Sequence, residues 1–115
     1  DLIGQWIDQG ATLRLDEANN IYPIDFILHQ NYPNPFNPGT RIDYQIFSSG
    51  YTTLTIFNMR GENVRTVFKS IRSAGSYSSY WNGTDNSGKP LPSGHYFYQL
   101  KNNEMVKIKK MILLK

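Results

Sequence analysis

The sequence predicts an all-β fold, a sandwich or a barrel. Three observations lead there. Short runs that alternate apolar and polar residues recur at roughly 8–12-residue spacing. Clusters of Gly, Asn and Ser separate them. No helical period persists after Gln30. The composition agrees, since 8 tyrosines and 6 phenylalanines supply large apolar faces for a thin core.

Residues 1–29 differ in character from the rest. Leu2, Ile3, Trp6 and Ile7 have one-turn helical spacing, and Thr12 to Asp16 alternates like a strand. Ile21 to Leu28 is apolar but is interrupted by Pro23. This region reads as a linker or the tail of a preceding domain. The boundary falls at Gln30, where QNYPNPFNPGT carries prolines at 33, 35 and 38. Each proline fixes its own φ and pushes its predecessor out of helical space. An extended, kinked lead-in is expected, with Tyr32 and Phe36 folding onto a core. The competing reading is a polyproline-type ligand or stiff linker.

Strands follow. Arg41 to Ile46 places Ile42, Tyr44 and Ile46 on one face, and Thr52 to Asn58 does the same with Leu54 and Ile56. Met59 to Glu62 is a hairpin turn whose Gly61 accepts positive φ. Asn63 to Lys69 is a strand around Val64, Val67 and Phe68. Tyr77 to Trp81 is another, with Trp81 as the large core plug, expected against Tyr96 or Tyr98. After a long loop from Asn82 to Gly94, His95 to Leu100 aligns Tyr96, Tyr98 and Leu100. Met105 to Leu114 is the last strand. Its apolar residues change parity between Ile108 and Met111. A β-bulge near Lys109-Lys110 is expected from that slip, turning both lysines to solvent.

Composition bounds the rest. The 115 residues hold one domain plus a short attachment. There is no cysteine, which excludes disulfide staples and cysteine-ligated zinc. No apolar run approaches the ~20 residues of a membrane span. No secretion signal opens the sequence, which starts at Asp1 and reads as a processed product or excised fragment. Charge is uneven: net −4 over residues 1–29, +3 over 30–100 and +4 over the last fifteen. Lysines on a final strand discourage stray edge pairing, or they face an acidic partner. The bases do not interleave with a stacking platform, so nucleic acid is not expected as a partner.

Catalytic and metal signals are weak. His29 and His95 have no acid at ligand spacing. Asn82, Asp85, Asn86 and Ser87 lack the regular acidic positions and closing glutamate of a calcium loop, and read as a turn with side-chain caps. Asn82-Gly83-Thr84 fits a glycosylation pattern. The serines have no nucleophile elbow or base partner. No catalytic residue, metal or cofactor is expected.

Four segments together carry a resemblance: QNYPNPFNPGT, TIFNMRGENV (Thr55 to Val64), AGSYSSYWNGTDNSGKPLPSGHYFYQL (Ala74 to Leu100) and the closing KKMILLK. In this order and spacing, residues 30–115 resemble the C-terminal sorting domains of type IX secretion substrates from Bacteroidetes and related phyla. They are closest to the variant related to the immunoglobulin-like domain of flagellar hook-capping proteins. The serine at 79 departs from that family, which usually has an apolar residue before the tryptophan. The resemblance implies an immunoglobulin-like antiparallel β-sandwich of about seven strands, with no chemistry of its own. It implies a module, appended to an N-terminal cargo domain, that passes through the periplasm. An outer-membrane translocon and a sortase-like peptidase would act on it, leaving the cargo secreted or on the cell surface. The implied recognition surface is the final strand: Lys107, Lys109, Lys110 and Lys115, with Met111 and Leu113 as anchors. Two other classes stay open. One is an assembly module in which residues 1–29 self-associate by lending a strand to a neighbouring copy. The other is a carbohydrate-binding module built on exposed, coplanar tyrosines.

Overall fold

The computed structural model describes residues 13–15, 21–23 and 26–115. The helical spacing at Leu2, Ile3, Trp6 and Ile7 lies outside the described residues. Within 12–16 the alternation does form a strand, β1 (Leu13–Leu15), paired antiparallel with β2 (Ile21–Pro23).

Seven further strands form two antiparallel sheets, with no helix among the described residues. They are β3 (Phe26–Leu28), β4 (Thr40–Ile46), β5 (Gly50–Phe57), β6 (Asn63–Arg72), β7 (Gly75–Trp81), β8 (Gly94–Asn102) and β9 (Met105–Leu113). One sheet runs β3-β4-β7 and the other β6-β5-β8-β9. Period-2 alternation supplies the inner faces. Ile42, Tyr44 and Ile46 face Leu54 and Ile56, with Tyr96, Tyr98 and Leu100 from β8 and Met111 and Leu113 from β9. Hydrogen bonding of the sandwich reaches upstream of the proline-rich lead-in, because β3 pairs with β4 and buries Phe26 and Leu28.

The lead-in packs with one of its two aromatics. Phe36 is buried, but Tyr32 stands 71% exposed, so the expectation that both fold onto the core fails for Tyr32. Their backbones differ in purpose. Tyr32 exchanges two hydrogen bonds with Arg41, whereas Phe36 donates to the Ile112 carbonyl and accepts from the Leu114 N–H. Phe36 therefore bridges to β9 and turns its ring inward, 5.6 Å from Trp81. Trp81 also meets Tyr96 edge-on at 5.8 Å and donates its indole N–H to the Thr84 carbonyl.

The expected bulge in the last strand is absent. Pairing of β8 with β9 is regular from Gly94↔Leu113 to Asn102↔Met105. One parity, from Met105 through Lys107, Lys109 and Met111 to Leu113, faces inward along the whole strand. The lysines occupy its rim end, where the Lys107 ammonium lies 5.5 Å from the Phe26 ring centre and donates to the Phe26 carbonyl at 2.7 Å. Lys109 and Lys110 consequently lie on opposite faces instead of turning together to solvent. The irregularities sit in β6. There the ladder to β5 shifts between Leu54 and Thr55 and again between Ile56 and Phe57. The two extra residues let Val64, Val67 and Phe68 all pack on the core despite their uneven spacing.

The opposite rim is closed by Arg72. Its guanidinium lies 3.7 Å from the Phe68 ring centre and donates to the Tyr44 hydroxyl at 2.6 Å. Ser79 is half-buried on the inward parity of β7, between Tyr77 and Trp81. Burial pushes the Tyr44 phenol above its ordinary pKa, offset in part by Arg72.

Trp81→Ala is expected to cost about 3–5 kcal/mol, because it empties the contact between Phe36 and Tyr96. Denaturant unfolding checks this, and an unchanged midpoint contradicts the core placement. Tyr98 gives a pH test. Its buried hydroxyl donates to the His29 carbonyl at 2.7 Å and accepts the Asn31 N–H at 2.9 Å. Burial raises its pKa from 10.0 to about 12. The neutral phenol is favoured by folding, so this contribution is complete below pH 10 and is lost as pH rises toward 12. Tyr98→Phe should lower stability at neutral pH by about 1–3 kcal/mol. It should also flatten the loss measured between those two pH values.

Candidate recognition surface

The six residues expected to form a recognition surface divide into three groups. Met111 and Leu113 are fully buried and anchor β9 in the core. Lys107 is committed to the seam with β3. Lys110 and Lys115 are exposed, and Lys109 is half-buried on the face of β9 opposite to Lys110. The lead-in fixes their backbone: the Gln30 side chain donates to the Lys110 carbonyl at 2.8 Å and Asn34 Oδ1 accepts from the Ile112 N–H at 3.0 Å. The Lys115 N–H is held by the Ser93 hydroxyl at 2.9 Å.

Sequence reasoning missed the outer face of the four-stranded sheet. Register places side chains in rows there: Thr53, Lys101 and Val106; Thr55, Gln99 and Ile108; Phe57, Phe97 and Lys110. Lys69 pairs with Thr53 and extends the first row. These rows contain no acid. Phe57, Phe97 and Ile108, with Gly61 and Gln99, line a shallow apolar depression of about 350 Å³. The signal was present in the sequence. Phe57 and Phe97 have the parity opposite to the core residues of their own strands, so they had to point outward.

The loop after Trp81 is a set of capped turns. Asp85 Oδ1 accepts the Ser87 and Lys89 N–H groups at 2.9 Å each, and Asn86 Oδ1 accepts the Thr66 N–H. The Asn82 side-chain oxygen is taken by the Thr84 hydroxyl. Gly83 has φ +78°, and an added Cβ would come within 2.9 Å of the Pro38 carbonyl. The loop is thus pressed against the lead-in. No group of three or more His, Asp or Glu side chains converges among the described residues. The backbone N–H of His29 donates to the Asp43 carbonyl, and His95 lies exposed at the start of β8. Ring contacts join Phe36, Trp81 and Tyr96 at one end and Tyr44, Phe68 and Tyr77 at the other. Among the described residues none joins the exposed Tyr32, Tyr51 and Tyr80 into a coplanar platform. Asp85→Ala should cost about 1 kcal/mol through its two lost N–H partners. Millimolar calcium should leave the thermal midpoint of the unaltered protein unchanged, because the turns are satisfied by the chain itself.

Solved structures share this architecture. Dimeric latent PorU from Porphyromonas gingivalis superimposes with a TM-score of 0.63 at 17% identity, over 86% of this chain and 11% of that one. PorZ, an essential bacterial surface component of the type IX secretion system of Porphyromonas gingivalis, gives 0.52 at 20% identity, over 75% and 11%. FlgD from Xanthomonas campestris, a hook-capping protein essential for flagellar assembly, gives 0.54 at 18%, over 77% and 67%. The chain therefore spans about a tenth of the length of PorU or PorZ. At these identities the likeness is one of fold. Comparison of the sequence with curated proteins finds no significant match. The family model of the FlgD Ig-like domain matches residues 42–104, from the first core residue of β4 to the turn before β9. With more than half of its length so matched, the chain belongs to the FlgD Ig-like domain family.

Proposed function

We propose that this chain is a non-catalytic sorting module that directs an attached cargo across the outer membrane by a type IX system, to the cell surface or the medium. The observation that carries the reading is the division of labour along β9. Met111 and Leu113 hold the strand in the core, while Lys109, Lys110 and Lys115 present charge that the fold does not consume. The fold shared with a domain-sized part of PorZ supports the same setting. The partners of this reading are the outer-membrane translocon and a sortase-like peptidase. The uncommitted lysines are the side chains they would recognise.

A second reading rests on the family itself. FlgD is a hook-capping protein, and a sandwich of this kind serves equally as a structural module of an extracellular filament or cap. In that case residues 1–29 would link neighbouring copies by strand donation.

The test fuses residues 1–115 to a periplasmically delivered reporter in a type IX host. Lys109 and Lys110 are replaced together by glutamine. Neither substitution enters the core, so stability should change by less than about 0.5 kcal/mol. The expected result is a folded reporter that accumulates in the periplasm while the unaltered fusion is exported. Normal export of the double variant removes these lysines from the recognition surface. Retention of the unaltered fusion overturns the sorting reading and favours assembly.

A further inference from the structure

The backbone of β9 is stapled over only half of its outer edge. On the side away from β8, the strand presents the N–H and C=O groups of residues 106, 108, 110, 112 and 114. The lead-in takes the upper part through Phe36, Asn34 and Gln30, which bond to Leu114, Ile112 and the Lys110 carbonyl. The backbone groups of Val106 and Ile108 have no such partner among the described residues. Their side chains are also 45% and 57% exposed. An unpaired edge with apolar side chains is a template for another strand.

We propose that this open half-edge binds an extended acidic segment of a partner protein by β-strand addition. In it, apolar residues would sit opposite Val106 and Ile108 and a carboxylate opposite Lys109. The charge pattern selects that occupant. Lys109 lies half-buried near the rim on one face of the strand, and the outer face beside it carries Lys101 and Lys110 with no acid in its rows. Apolar residues of the incoming strand continue the sheet face formed by Ile108 and Phe97. A second copy of this chain is the poorer occupant. It would set two strands of like charge side by side, since β9 carries three lysines and no acid. The staple at Lys110 also bounds the added strand on one side. This inference deepens the sorting reading and rests on it for its biological setting. Its test is made on the isolated chain, so a failure of export and a failure of strand binding are separable.

The experiment follows backbone amide signals of residues 1–115 by NMR. Two synthetic probes are added, a nine-residue peptide alternating valine with glutamate and the same peptide with lysine for glutamate. The expected result is saturable shifts centred on Val106 and Ile108 with the glutamate peptide only. Exchange of those two amides should slow by about tenfold or more. Ile108→Pro removes the edge N–H without touching the ladder to β8, a position where an edge strand tolerates proline. It should abolish binding while the remaining amide signals keep their folded dispersion. Lys109→Glu should transfer the preference to the lysine peptide, which keeps the proposal testable if the proline variant does not fold. Equal binding of both peptides, shifts centred elsewhere, or no binding at millimolar peptide overturns the proposal. Concentration-dependent protection of Val106 and Ile108 without peptide also overturns it, assigning the edge to a second copy.

Discussion

The fold depends on how the irregular lead-in is tied to both sheets. A two-layer sandwich has rims where neither sheet covers the other. The β3–β9 rim is closed by a segment too rich in proline to join a ladder throughout. Side chains supply what its backbone cannot. Asn31 is buried and donates to the Pro33 carbonyl and the Thr40 hydroxyl, while its N–H meets Tyr98. Asn34 and Gln30 bond the edge of β9, and Phe36 inserts beside Trp81. Each buried polar group there would be costly without its partner. The segment therefore has one conformation that satisfies all of them, and it positions β9 while doing so.

Much of the sandwich was legible because most strands obey period-2 alternation with one buried face. β4, β5 and β8 show buried residues at every second position. The turn at Met59 to Glu62 was equally plain, with Gly61 at φ 83° and Asn58 Oδ1 accepting two backbone N–H groups. Where local pattern and tertiary context diverged, the sequence misled. In β9 the change of apolar parity looked like a bulge. In fact Lys107 uses its long stem to occupy an inward position at the rim, a solution open only to a residue that is apolar for most of its length. In β6 real bulges went unread, because the spacing of Val64, Val67 and Phe68 is also compatible with a short, irregular strand.

The candidate surface was harder to read than the core for a related reason. Parity tells which side of a strand a residue faces, but not whether that side is already claimed. Lys107 and Lys109 are equivalent in sequence pattern. Only the position of the Phe26 carbonyl distinguishes a lysine that closes the sandwich from one that decorates it. The outer-face phenylalanines show the converse. Their direction was deducible, yet their importance comes from the neighbouring strands that place Phe57, Phe97 and Ile108 around one depression.

The closure of β3 and the lead-in onto β9 has a consequence for the order of events during synthesis. Gln30 meets Lys110, Asn34 meets Ile112, and Phe26 meets Lys107, so these bonds join residues 78 to 81 positions apart. A chain emerging N-terminus first lacks β9 until nearly all of this region has been made. Until then Phe36 and Trp81 have no Met111 or Leu113 to finish the core around them. Closing such long-range contacts is slow, since loop entropy must be overcome before they reward the chain. The sandwich thus completes only after translation has passed its final strand. A nascent chain has that interval in which it remains unfolded and open to whatever escorts it.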